Sequence, residues 1–450
     1  MRISVIGTGY LGATHAACLA ELGFDVLGVD SDPTKVARLS SGRAPFSEPG
    51  LDEMLDRHVR LGRLRFTTSV AEAAAFADLH FLCVGTPQRA DGGAADLSSL
   101  VRVTAELAEH LRRDSVVVGK STVPVGTAEL LGEVIDEKVP PGVRVSLAWN
   151  PEFLREGRAV RDSLCPDRLV LGVSEATAEQ ALRAVYAAPI AAGCPVHVTD
   201  LATAELAKTA ANCFLATKIS FINAMAEVCD ASGADVSRLA DILGDDARIG
   251  RSFLDAGIGF GGGCLPKDVR AFATRADELD AASAARLMEH VDDVNLRARQ
   301  RTVELAVRLC GPRRGQRIAV LGAAFKPLSD DVRDSPALAV ADELRLHGAD
   351  VRVYDPVATA NAQVTHPQLA YAESLTGVLT GADLVLHLTE WPEFRQLDPA
   401  EAGRLVRHRV LVDGRNALDH DRWRAAGWQV ASPGRPAAST GPRRLVELAG

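Results

Sequence analysis

Residues 259–268 read GFGGGCLPKD: a lone thiol, Cys264, set among glycines and followed by Lys267 and Asp268. Glycine gives up side-chain contacts and folding entropy, so such a cluster marks sharp turns or close approach to a ligand. The bland alternative is a flexible loop holding a chance cysteine. A second stretch, ELAKTAAN (205–212), sets Lys208 and Asn212 at i and i+4 among alanines and leucines. That spacing puts both on one otherwise apolar helix face, although a lysine so placed usually snorkels to the surface. A third, NPEFLREG (150–157), spaces Glu152 and Glu156 in the same way. They share a face if the chain turns helical after Pro151. A thiol, a lysine, an amide and carboxylates suit work at a carbonyl carbon. A thiolate adds to an aldehyde as a thiohemiacetal, loss of a hydride leaves a thioester, and water releases an acid. A nearby cation such as Lys267 favours the thiolate.

The hydride needs an acceptor, and the N-terminus supplies a site for one. A strand-like run, RISVI (2–6), leads into Gly7-Thr8-Gly9-Tyr10-Leu11-Gly12; a helical stretch follows, then a second strand-like run ending at Asp30. In that context the glycines permit a tight turn that brings a dinucleotide pyrophosphate to a helix N-terminus. Asp30 would accept hydrogen bonds from ribose hydroxyls and repel a 2′-phosphate, so NAD is expected rather than NADP. CVGTP (83–87) and GKST (119–122) close two further strands, which makes Thr86 and Thr122 candidates to line the cofactor crevice. Taken singly, each is equally an ordinary strand-to-helix turn.

The elements that must position these groups alternate. Strand-like runs at 2–6, 25–30, 79–85, 115–119, 145–149, 168–172 and 195–199 are separated by helix-length segments, the pattern of a parallel, doubly wound sheet. From Leu201 to Arg301 the sequence reads as helical, interrupted by the glycine loop; strand-like runs resume at 317–322, 350–356, 383–390 and 409–416. The expectation is an α/β domain over 1–200, a central helical domain over 201–301, a second α/β domain over 302–430, and a mobile Pro/Gly/Ser/Arg-rich tail over 431–450. At 450 residues, with 47% hydrophobic and 24% charged residues, the chain is globular and multidomain. Its net charge of −9 argues against nucleic acid or anionic membrane as partners. The eight cysteines are scattered without a C-x-x-C pair, which points to a reducing cytoplasm and away from a zinc ribbon; no metal is expected. The start loosely mimics a signal peptide, but GTG breaks its apolar run, and no apolar stretch reaches the ~20 residues that span a bilayer.

In order along the chain, GTGYLG (7–12), CVGTP (83–87), STVPVGT (121–127), NPEFLREG (150–157), LAKTAANCFLATKISFIN (206–223), DARIG (246–250), GFGGGCLPKD (259–268), FKPLSDDVRDSP (325–336) and DGRN (413–416) resemble the nucleotide-sugar dehydrogenases of the UDP-glucose/GDP-mannose dehydrogenase family. The resemblance implies two Rossmann-like α/β domains joined by a central helical dimerisation region, and four-electron oxidation of a sugar alcohol to a uronic acid with NAD. It makes Cys264 the nucleophile, gives Lys208 and Asn212 the developing oxyanion, and has Asp268, Thr122 and Glu152 organise water or proton transfers. Cofactor contacts would be Gly7, Gly9, Tyr10, Leu11, Gly12, Asp30, Lys35, Thr86, Thr122, Glu156, Lys267 and Arg333. Substrate contacts would come from Glu152, Phe153, Leu154, Lys208, Asn212, Arg248, Phe253, Leu254, Asp255, Ala256, Gly257, Gly261, Lys326 and Arg415. The last domain would hold the nucleotide and the central helices would pair two subunits.

DARIG-x-x-FLDAG-x-GFGG is similar to the branch acting on UDP-glucose; GDP-mannose and UDP-N-acetylmannosamine are the alternatives within the family. A two-electron hydroxyacid dehydrogenase would have no use for Cys264. A non-catalytic NAD-binding regulator would have none for the Cys-Lys-Asn set. Ala224, where the family leads one to expect glutamate, and His80, within an apolar strand, read as packing variation. The second α/β domain has GAAFKP (322–327) where the first has its glycine fingerprint, which fits a nucleotide-sugar site better than a second NAD site.

Overall fold

A computed structural model describes residues 1–310 and 315–435; residues 436–450 of the expected tail lie outside them. The chain divides into two compact units, Met1–Cys213 with Lys267–Leu287, and Phe214–Pro266 with Met288 onward.

The first unit is built on an eight-stranded sheet in the order β3-β2-β1-β4-β5-β6-β7-β8. Its strands are β1 (Arg2–Ile6), β2 (Asp25–Val29), β3 (Leu64–Thr67), β4 (Leu79–Leu82), β5 (Ser115–Gly119), β6 (Val145–Trp149), β7 (Leu169–Val173) and β8 (Val196–Thr199). Helices cover both faces, so the central strands are buried on both sides and read as continuous apolar runs: Ile3, Val5, Phe81 and Leu82 are all fully buried. His80 is buried too, and its Nδ1 lies 2.7 Å from Ser4 Oγ, its register partner on β1. Burial, then Arg113, pull its pKa down to about 4, so it packs as a neutral ring. The strand order reverses direction between β1 and β4, and at such a switch point the carboxyl ends of the strands open a crevice.

Two features depart from the sequence reading. β3, of only four residues, LRFT, is too short and too polar to stand out. In addition, β6 and β7 pair antiparallel, through Ala148↔Val173 and Trp149↔Gly172, so the sheet is not wholly parallel.

The second unit carries a six-stranded parallel sheet in the order β11-β10-β9-β12-β13-β14. Its strands are β9 (Arg317–Leu321), β10 (Asp350–Tyr354), β11 (Ala370–Tyr371), β12 (Leu384–His387), β13 (Val410–Asp413) and β14 (Gln429–Ala431). The short edge strands β11 and β14 carry too little pattern to be read from sequence. The helical stretch after residue 200 consists of Leu201–Ser232, Val236–Gly244, Leu265–Glu278 and Ala282–Cys310, with the glycine loop between the second and third. Among the described residues, no helix is long and apolar enough to cross a membrane.

Candidate active site

The glycine fingerprint comes first, because its geometry leaves so few options. Gly7 has φ +91°, and a Cβ there would meet Val84 N at 2.7 Å; at Gly12 it would meet Gly7 O at 1.8 Å. Gly9, by contrast, has nothing within 4 Å of a built Cβ. It begins the helix Tyr10–Glu21, which has no side-chain cap and no acid in its first turn. Unsatisfied backbone N–H groups at an uncapped, open helix N-terminus suit a pyrophosphate. Asp30 Oδ2 accepts from Thr8 N (3.0 Å), Thr8 Oγ1 (3.1 Å) and Lys35 Nζ (2.8 Å), and Oδ1 accepts from Asp32 N (3.1 Å). Burial works to raise its pKa, but Lys35 and the backbone donors outweigh it and hold the carboxylate below its usual range. The expected cofactor residues Asp30 and Lys35 are therefore an ion pair. The Tyr10 hydroxyl donates to Glu48 and accepts from Gly157 N (3.0 Å). Thr86 Oγ1 donates to the carbonyl of Thr122 at 2.7 Å, joining the two crevice candidates.

β10 ends beside Asp355 as β2 ends beside Asp30, yet Asp355 faces its own backbone. Its Oδ2 accepts from Ala323 N, Ala324 N and Trp391 Nε1 at 2.8–3.1 Å, and its Oδ1 from Val357 N and Ala358 N. The acid that reads a ribose in a dinucleotide site here ties down the turn after β9.

The first unit gathers one cluster of reactive groups. Lys208 Nζ lies 3.1 Å from Glu152 Oε1, with both side chains nearly buried. Asn212 Nδ2 donates to Asp268 Oδ2 at 2.6 Å, while Lys267 Nζ meets Asp268 Oδ1 at 2.6 Å. Lys208 is thus a buried group with a carboxylate partner and not a snorkelling one. The Phe153 ring stacks under the Arg168 guanidinium at 3.7 Å, and Leu154 N donates to Glu152 Oε2. Beside the cluster, Thr122, Lys267, Asp268, Leu206 and Arg275 line a largely apolar cavity of about 200 Å³.

Glu152 and Glu156 do not share a face. Residues 151–158 are not helical; a helix begins only at Ala159. Gly157 takes φ +78°, and Glu48 accepts from Gly157 N and Ala159 N at 2.7 Å. That long-range carboxylate holds the turn open, so Glu152 reaches Lys208 while Glu156 sits in the field of Tyr10.

Glu205, quoted in the sequence but given no role there, proves to be a clamp. It is buried on the helix Leu201–Ser232 and accepts from Gly126 N (2.8 Å) and Ala128 N (2.6 Å) at the start of the helix Thr127–Lys138. Arg275 Nε donates to Val125 O at 3.0 Å, so side chains from two helices fix the segment that follows Thr122. Burial pushes the Glu205 carboxyl up to about 7, against the backbone donors and Arg275. Its folded pKa lies above the unfolded value of ~4.3. The stability it contributes is therefore full below that value and is lost as pH rises through about 7. Melting temperatures across pH 5–8 should fall more steeply for the wild type than for Glu205→Gln; parallel curves would contradict the shift.

The second unit explains the glycines of the thiol loop. A Cβ at Gly261 would meet Asp334 O at 2.3 Å, at Gly262 (φ +87°) the Phe325 ring at 2.8 Å, and at Gly263 the Arg333 guanidinium at 2.2 Å. Gly259 (φ +89°) would strike Asn295 Oδ1 at 2.3 Å. The loop is glycine-rich because the segment 325–334 and the helix Ala282–Cys310 press against it, leaving no room for side chains at these positions. Asn295, fully buried, accepts from Phe260 N at 2.7 Å and donates to Phe260 O at 3.1 Å; Arg299, one turn on, donates to Phe260 O and pairs with Asp334. Neither was singled out in the sequence, although an Asn and an Arg at i and i+4 on a long helical stretch is the signal that could have found them. Cys264 is exposed and immediately precedes the helix Leu265–Glu278, a position where the helix dipole favours a thiolate.

Arg415 ties three backbone segments together. Its guanidinium donates to Leu388 O (2.7 Å), Gly259 O (3.1 Å) and Phe325 O (2.9 Å), next to Lys326. Gly257 N donates to Asn223 Oδ1, and Asn416 Nδ2 donates to Ala256 O. Leu254 and Ala256 are buried, Phe253 adopts φ +67°, and Asp255 faces outward in an ion pair with Arg251. Arg333 forks onto Asp331. Arg248 stands apart: it is exposed and paired with its neighbour Asp246.

Models of all three domains of one family match the chain in order: the NAD binding domain of the UDP-glucose/GDP-mannose dehydrogenase family over residues 1–190, the central domain over 202–297 and the UDP binding domain over 319–420. The chain belongs to the UDP-glucose/GDP-mannose dehydrogenase family. Within the family, it is 40% identical over 438 residues to a UDP-glucose 6-dehydrogenase of Bacillus subtilis, covering 97% of this chain and 98% of that one. To a UDP-glucose 6-dehydrogenase of Rhizobium meliloti it is 42% identical over 441 residues, covering 97% and 100%. The solved structure of a UDP-glucose dehydrogenase from Pyrobaculum islandicum matches with TM-score 0.87 and 39% identity over 95% of this chain and 98% of that one.

Proposed function

We propose that this member of the family oxidises the C6 alcohol of UDP-glucose to the carboxylate, giving UDP-glucuronate, with NAD as the oxidant. When bound, NAD supplies the hydride acceptor, and Gly7, Gly9, Leu11, Gly12, Asp30 and Lys35 are the residues that would hold it, with Thr86 and Thr122 along the crevice. Cys264 adds to the aldehyde carbon, forming the thiohemiacetal and then the thioester. Lys208 and Asn212 donate to the oxygen that carries charge at those stages, and Glu152 and Asp268 orient the water that hydrolyses the thioester. The observation that carries the reading is the buried set Glu152–Lys208 and Asn212–Asp268, in which each donor on the helix has a carboxylate partner. A non-catalytic regulator would have no need of it. NADH yield per sugar across UDP-glucose, UDP-N-acetylmannosamine and GDP-mannose tests the reading: two per UDP-glucose, with free aldehyde absent, is the expected result.

Preference for NAD rests on Asp30, whose charge opposes a 2′-phosphate. kcat/KM is expected to favour NAD clearly over NADP, and Asp30→Ala to narrow the ratio. Equal values in the wild type would refute the assignment.

A dimer is the proposed minimum assembly. On the helix Leu201–Ser232, Phe214 (66% exposed), Phe221 (48%) and Val228 (56%) recur every seventh residue and so share one face. Exposed apolar side chains recurring along one helix face suit a protein interface. Light scattering should show particles above the 47.7 kDa protomer mass, and Phe221→Asp should shift them toward it. Wild-type particles of protomer mass at assay concentration would exclude the dimer. The scattered cysteines, none of them in a disulfide among the described residues, support a reducing cytoplasmic location.

A further inference from the structure

The first unit also holds a smaller cavity of about 40 Å³. Glu152 lines it together with His15, Lys120, Ser163, Arg168 and Tyr186. Two of these carry buried polar atoms with unmet hydrogen-bonding capacity. His15 is only 4% exposed, and its Nε2 has no partner within the protein. The Ser163 hydroxyl lies beside the Cys18 thiol, a weak partner, and makes no regular hydrogen bond. A buried nitrogen without a partner is costly unless water reaches it. A water needs ~10–15 Å³ and two to four polar neighbours, so this volume has room for about three.

The charged groups that line the chamber already have partners within the protein. Lys120 is buried, with its Nζ 2.9 Å from Asn150 Oδ1 and 3.2 Å from Tyr186 OH, and Tyr186 OH donates to the same Asn150 oxygen at 2.6 Å. Burial, then Lys120, hold His15 well below its usual pKa, so it stays a neutral ring that can hydrogen-bond water through Nε2. Arg168 is engaged on the Phe153 ring, and Asp162 is forked to Arg155. Glu152 thus both pairs with Lys208 and lines a water-sized chamber.

We propose that this chamber is the proton exit of the reaction, carrying protons from Glu152 through water ordered by Lys120, His15 and Ser163. The inference rests on the function proposed above. Each oxidation passes the carbon-bound hydrogen to NAD as hydride and releases the oxygen-bound hydrogen as a proton, and hydrolysis of the thioester releases another at neutral pH. Those protons must leave a site whose carboxylates are nearly buried. His15 and Ser163 are positioning residues, since they act through water.

The test is stopped-flow recording of NADH absorbance and of a pH-indicator dye in weak buffer, on the full chain with NAD and UDP-glucose. His15→Phe preserves an aromatic ring against Phe81, with which His15 makes an edge contact at 4.6 Å, but removes the nitrogen. It is expected to lower kcat about tenfold, less than the 10²–10⁴ attached to a direct general base. Proton release should lag NADH, the D₂O effect on kcat should grow, and KM values should be unchanged. His15→Gln, which keeps a polar atom but loses the ring, should return most of the rate. A purely structural role predicts the opposite order, with Phe tolerated and Gln damaging. Ser163→Val fills the chamber from a different helix and should reproduce the lag. Protons and NADH appearing in step in both His15→Phe and Ser163→Val, or Gln slower than Phe, would overturn the proposal. The wild-type NADH yield reports on the function separately, because a two-electron oxidation also releases a proton and leaves the lag measurable.

Discussion

Cys264→Ser is expected to bind both ligands and to stop accumulating acid in the steady state. The hydroxyl is far less nucleophilic than a thiolate near neutral pH, and an ester formed through it would hydrolyse slowly because the alkoxide is a poor leaving group. The position itself favours the thiolate, since Cys264 is exposed and directly precedes a fourteen-residue helix. The surrounding loop tolerates the exchange: its glycines answer to neighbours at 2.2–2.8 Å that do not include the sulfur. Serine should therefore leave the fold intact. Single-turnover traces with UDP-glucose, read with mass spectrometry of the protein, separate the stages. Undiminished uronic acid from the serine variant would remove the thioester from the mechanism and leave the loop's cysteine without a chemical task.

Lys208→Ala is the second large effect. Loss of one donor to a developing oxyanion typically costs on the order of 10²–10³ in kcat, and NAD affinity should change little because Lys208 belongs to the carbonyl chemistry. The variant has a structural cost of its own. Lys208 and Glu152 are both nearly buried, and removal of one partner strands the other's charge, at about 3–5 kcal/mol. The double variant Lys208→Ala, Glu152→Gln removes that charge. It should melt closer to the wild type than the single variant while remaining slow. Recovery of kcat in the double variant, or a single variant that keeps kcat and loses only KM, would show that Lys208 serves stability or binding and not the oxyanion.

The most legible parts of the sequence were those whose physics is local. A turn that needs φ > 0 at Gly7, with a helix starting at Tyr10 and an acid after β2, is written in about thirty consecutive residues. The alternation of β1, β2, β4, β5 and β6 with helices follows from apolar runs that each fit one strand. Lys208 and Asn212 could be placed on one helix face by spacing alone, because 3.6 residues per turn holds wherever the helix lies.

Partnership was decided by the tertiary structure. Glu152 and Glu156 part company because Glu48, over a hundred residues away, captures the N–H groups of Gly157 and Ala159. The glycines of the thiol loop are required by Phe325, Arg333, Asp334 and Asn295, none of them within thirty residues, so their number says little about flexibility. Asp355 looks like a ribose-reading acid in its position after β10 and is instead consumed by its own turn and by Trp391. Even β7 runs opposite to its neighbour β6 with no mark in its composition. Helix periodicity and turn chemistry depend on residues adjacent in the chain. Which carboxylate meets which cation, and which backbone presses on which glycine, depends on segments that only the folded chain brings together.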